Sequence, residues 1–150
     1  NWPPGESAVI HRPNNHRSIY LCLLRHAPPL ELSAFDLPAG VRVMGRRHTT
    51  TQPAHGLYLL NNPMVVNQAN LFAVKLLEEP GGDTAARVNW VYRRALQRDA
   101  TGEELSRAIE LVKETQNELD SGTLKADRET RAWAALCQGL LASNEFRYID

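Results

Sequence analysis

Two guanidinium groups and two imidazoles crowd into one short stretch, Arg46, Arg47, His48 and His55, where a helix is expected to begin. Arg46-Arg47 can hold an anion together with a helix N-terminus, whose free N–H groups and positive dipole end both favour negative charge. The same pair can instead form ion pairs with Asp36 or with carboxylates of downstream helices, and we favour that structural pairing. His48 and His55 lie seven residues apart, two turns if one helix carries both. Thr51 between them reads as an N-cap, which argues against a shared helix. His11 and His16 sit in a proline-rich segment. No HExxH or CxxC pattern and no paired His/carboxylate spacing occurs, so no residue is assigned to a metal. Arg46, Arg47, His48 and His55 are therefore candidate anion or partner contacts.

Other catalytic patterns are incomplete. Leu23-Leu24-Arg25-His26 follows an apolar run and resembles the opening of the histidine phosphatases, where a strand delivers a phosphate-clamping Arg and an attacking His. That chemistry needs a second histidine far downstream, and none follows His55. GxSxG is absent, no glycine-rich phosphate loop is present, and neither Cys22 nor Cys137 has a neighbouring His. Each cysteine lies in an apolar run and reads as a buried free thiol, although a single disulfide remains open. No catalytic or cofactor-binding residue is assigned, and the chain is read as leaning away from an enzyme.

The elements that would position these residues are mainly helical. Residues 1–50 form an irregular arm, broken by Pro3-Pro4, Pro13 and Pro28-Pro29. One or two short strands are expected in it, Ile19–Leu24, where a helical turn is the alternative, and Val41–Met44 pairing with it, with Phe35 plugging the core. Residues 51–150 read as a bundle of about five helices. Thr51 and Pro53 open the first, and Asn61-Asn62-Pro63 ends it and caps the next. The second runs to Glu79 with a stripe of Val66, Ala69, Ala73, Leu76 and Leu77. Asp83 or Thr84 caps the third, whose apolar face is Val88, Val91, Tyr92, Ala95 and Leu96, with Arg87, Arg94 and Arg98 on a solvated side. Thr101-Gly102-Glu103-Glu104 is a capping box before Leu105, Ala108, Ile109, Val112 and Leu119. Asp127 opens the last helix, striped by Trp133, Leu136, Cys137, Leu140 and Leu141; Phe146 and Tyr148 should pin the terminus. The 150 residues read as one domain.

Seventeen basic and seventeen acidic residues give zero net charge, so no global field draws the chain to nucleic acid or membrane. Residues 1–55 carry six Arg against three acids (+3), and residues 56–150 carry eleven basic against fourteen acidic groups (−3). No apolar run reaches the roughly 18 residues of a membrane span. The sequence opens on Asn1, with neither methionine nor signal peptide, and is read as a fragment cut from a longer or processed protein.

An ordered set of residues resembles the C-terminal domain of unknown function of large exported planctomycete proteins. The set is Arg17–Leu21, Phe35-Asp36-Leu37-Pro38, Arg46-Arg47 with the Thr-rich run to Pro53, and Leu57 through Pro63. Tyr92–Leu96 with Arg98, Thr101-x-x-Glu104, and Trp133 with Leu140–Phe146 complete it. His55-Gly56 stands where Gln-Ala is expected, and Cys22 where a proline is usual. The resemblance implies an exported, periplasmic or cell-surface setting, and a parent protein that often carries a cytochrome c-like haem domain elsewhere, with no cofactor in this part. It supplies no catalytic residue. The expected role is a helical interaction or scaffolding module that packs on upstream domains of its own chain or on another protein. A hydrolase, or an anion- or glycan-binding site completed by upstream domains, is the alternative.

Overall fold

The computed structural model describes residues 18–20, 32, 35, 53–80, 82–119 and 124–147. The chain divides into two compact units, Asn1–His55 and Gly56–Asp150. In the first, Ser18–Tyr20 forms a 3₁₀ turn with Ile19 and Tyr20 exposed, so these two residues are not the start of a buried strand. The rest of the Ile19–Leu24 run, the Val41–Met44 strand and the Thr51 cap lie outside the described residues. The Phe35 amide donates to the Leu32 carbonyl at 3.1 Å.

In order, the helices are Pro53–Asn61 (α1), Pro63–Glu78 (α2), Thr84–Leu96 (α3), Gly102–Glu118 (α4), Lys125–Leu141 (α5) and Asn144–Arg147 (α6). The described residues are mainly helical and contain no strand. Side-chain caps account for the starts of α2, α3 and α4. Asn62 Oδ1 accepts from the Met64 amide at 2.8 Å, with Pro63 in the first turn, where its missing N–H leaves no bond unmade. Asp83 Oδ1 accepts from the Ala86 amide at 2.8 Å, and Thr101 with Glu104 closes the capping box reciprocally. The last long helix starts at Lys125 rather than Asp127. Leu124 occupies its cap and supplies no side-chain bond.

Within the second unit, α5 is the central element. It packs most extensively against α2 and α4, and it also meets α3 and α6. Ala132, Trp133, Ala134, Leu136, Cys137 and Leu140 are its buried residues. They share one cluster with Ala69, Ala73 and Leu76 of α2, Val88, Val91 and Tyr92 of α3, and Ala108 and Val112 of α4. The Phe72 and Trp90 rings join α2 to α3 with centroids 5.6 Å apart. Gln138 Nε2 donates to the Leu60 carbonyl at 2.6 Å and ties the end of α1 to α5.

Two packing expectations require correction. On α2, Val65 is buried and Val66 is not. The buried face centres on Ala69 and Leu76, and each residue advances roughly 100° around the axis. Val65 therefore falls inside the arc while Val66 lies at its edge. At the C-terminus Phe146 is exposed rather than buried as an anchor, and Tyr148, the other residue expected to pin the terminus, lies outside the described residues. Glu145, beside Phe146, makes the long-range contact instead.

Candidate functional site

The densest polar constellation sits at the turn between α3 and α4. Gln97 ends α3 in the left-handed region (φ 59°, ψ 22°), unusual for a residue with a Cβ, while its amide still donates to the Arg93 carbonyl. The chain reverses there and brings Arg98 over the start of α4. Arg98 Nη1 and Nη2 donate to the two Glu104 carboxylate oxygens at 2.8 and 2.7 Å. Its Nε and Nη2 donate to the Glu145 carboxylate at 2.7 Å each. The guanidinium carbon lies 5.7 Å from the centre of the Tyr92 ring, within cation–π range. Glu104 also accepts from the Thr101 amide at 2.8 Å, and Asn89 Oδ1 accepts from the Ala100 amide at 3.1 Å. One guanidinium thus joins α3, α4 and α6.

This arrangement is adhesive rather than reactive. Hydrogen bonds from Arg98 and the Thr101 amide hold the Glu104 carboxyl down at about 2, and Arg98 lowers Glu145 as well. A carboxylate held that low neither donates nor usefully accepts a proton near neutral pH. The two carboxylates in turn raise the Arg98 pKa. Because the folded pKa of Glu104 lies below its usual 4.5, its contribution to stability is complete above about 4.5 and disappears as pH falls toward about 2. With the side chain 31% exposed, solvent screening reduces that contribution to about 1 kcal/mol. Glu104→Gln keeps a side chain able to complete the cap but removes the charge. Chemical denaturation at pH 7 and pH 2.5 should show a smaller acid-induced loss in this variant than in the parent. An identical loss would place the acid sensitivity elsewhere.

Two other reactive side chains among the described residues, Cys137 and His55, are buried. Cys137 is a buried free thiol, and desolvation pushes it up to about 12, so it is not an available thiolate nucleophile. His55 is buried, 6% exposed, with its ring 5.1 Å from that of Phe35. Arg46, Arg47 and His48 lie outside the described residues. Among the described residues, no group of three or more His, Cys, Asp or Glu side chains is placed to hold a metal ion. No described helix is long and apolar enough to cross a membrane.

Arg87, Arg94 and Arg98 do not form the single solvated face expected of them. Arg87 pairs with Glu129 of α5 at 2.7 Å and Arg98 occupies the turn. A signal for Arg98 was present in the sequence, since it stands six residues before Glu104 and beside a capping box; its second partner, 47 residues away, left no local trace. Sequence reasoning also missed a cleft of about 490 Å³ between α3, α4 and α5. Its basic residues come from three helices and form no linear motif.

The fold and this turn define a small α-helical module braced by an Arg–carboxylate network. A family model described as "PSD1: Protein of unknown function (DUF1553)" matches residues 4–112, and the chain belongs to that family. The match extends from the N-terminal arm into α4. No curated protein and no solved structure matches the chain.

Proposed function

We propose that this chain is a non-catalytic interaction module of a larger exported planctomycete protein, working in the periplasm or at the cell surface. Its partner is the upstream part of the same polypeptide, where a cytochrome c-like haem domain is often found in the proteins it resembles. One observation carries the reading. Met64, Leu71 and Val74 lie on the side of α2 roughly opposite its buried row and are exposed, Met64 by 64%. Leu57 and Leu60 of α1 are exposed as well. Large apolar side chains clustered on one helix face are characteristic of a docking surface. The identity of the partner rests on the sequence resemblance, whose residues belong to multidomain chains.

The test is co-elution with light scattering. This domain should form a one-to-one complex with the upstream portion of its parent polypeptide. Met64→Glu combined with Leu71→Glu should abolish the complex while helical circular dichroism is unchanged, because both positions are exposed. Failure of the unaltered domain to associate would overturn the proposal.

A further inference from the structure

The cleft between α3, α4 and α5 has an unusual charge balance. Arg87, Lys113, Lys125 and Arg128 line it, and Glu129 is the single acid among its described lining residues. Four positive charges and one negative leave +3 in a chain of zero net charge. Glu129 is already engaged by Arg87. Among the described residues Lys113 and Lys125 make no ion pair, whereas six other basic–acidic contacts are made. Arg128 Nε is buried and makes no hydrogen bond. Buried donors are nearly always satisfied, and like charges drawn to one concavity repel one another. The clustered positive charge does not help the fold and is relieved by a bound anion.

We propose that this cleft binds a tetrahedral oxyanion, a phosphate or sulfate group, through Lys113, Lys125 and Arg128. A guanidinium presents a planar fork of donors matched to such oxygens, and the ammonium groups add mobile point charges. A ligand with three or four acceptor oxygens can engage donors from two helices at once, which a single carboxylate cannot do as fully. Gln116 and Asn117 on α4 supply neutral amide donors beside the cations. The α5 N-terminus, which has no side-chain cap, begins at Lys125 and adds amides at the same end. None of these residues belongs to the apolar faces of α1 and α2, so the two proposals fail independently.

Isothermal titration of the whole chain with inorganic phosphate, inorganic sulfate and chloride at one fixed ionic strength tests the assignment. Saturable one-to-one binding of phosphate, sulfate or both, with none of chloride, is the expected result. Phosphate binding that weakens on acidification below its second pKa assigns the cleft to a phosphate group; sulfate binding alone assigns it to a sulfate group. The exposed double substitution Lys113→Gln with Lys125→Gln should weaken binding at least tenfold. Lys75→Gln with Arg94→Gln, equal in charge change but outside the cleft, should leave it unaltered. Arg128→Gln should act like the lysine pair; if it unfolds the chain, the lysine pair still decides. Equal responses to all three anions, or unchanged affinity in the lysine variant, would overturn the proposal.

Discussion

Replacing Trp133 with alanine should cost about 3–5 kcal/mol, the usual penalty for deleting a fully buried large aromatic. Trp133 is 2% exposed and heads the largest fully buried side chains of the described core. It stands on α5 within the buried cluster shared with α2, α3 and α4, so the void would open inside that cluster. A domain of this size has roughly 5–15 kcal/mol of stability in total, and each kcal/mol shifts its midpoint by roughly 2–4 °C. The midpoint by circular dichroism should therefore fall by roughly 6–20 °C. Trp133→Phe, which refills part of the volume, should lose distinctly less. A loss below about 1 kcal/mol for the alanine variant would mean that α5 is not the centre of the core.

The success of sequence reasoning followed the range of the interaction. Asn62-Pro63, Asp83 and Thr101 with Glu104 were legible because a cap depends on two to four consecutive residues. The buried stripes of α3 and α5 were legible because periodicity registers which side faces inward. On α2 the same periodicity misassigned one position, since Val65 and Val66 flank a face whose centre is set by packing against α5. Arg98 read as a surface charge because Glu145, its second partner, is 47 residues away. The basic cleft was invisible for the same reason, as Arg87, Lys113 and Arg128 share no sequence window. Of the predicted contact residues, only His55 lies within the described structure, and its burial could not be read from a short Gly-containing helix.

The α3–α4 turn also bears on the family resemblance. Tyr92, Arg98, Thr101, Glu104 and Glu145 are all among the residues that carry it, and all meet around one guanidinium or its capping partner. In this chain they brace three helices, and both carboxylates are held ionised by the same arginine. The two surfaces proposed for recognition, the apolar side of α2 and the basic cleft of α3, α4 and α5, lie outside this brace.

The spacing of α2 from α5 provides the second large effect. The buried row of α2 includes Ala69 and Ala73, 1% and 0% exposed, and α2 makes most of its tertiary contacts with α5. Small side chains there let the two backbones approach, because interaxial distance follows the side chains at the crossing. Ala73→Leu must therefore drive three extra carbon atoms into a filled contact. It should cost about 1–3 kcal/mol through displaced rotamers and helix separation. Val74→Leu, one residue on and exposed, enlarges the same helix on its outer side and should change stability by less than about 0.5 kcal/mol. Urea denaturation of the two variants separates a crowded interface from a general effect on helix formation. Matching stabilities would show that the α2–α5 contact has room to spare and that the alanines are not what sets the approach of the two helices.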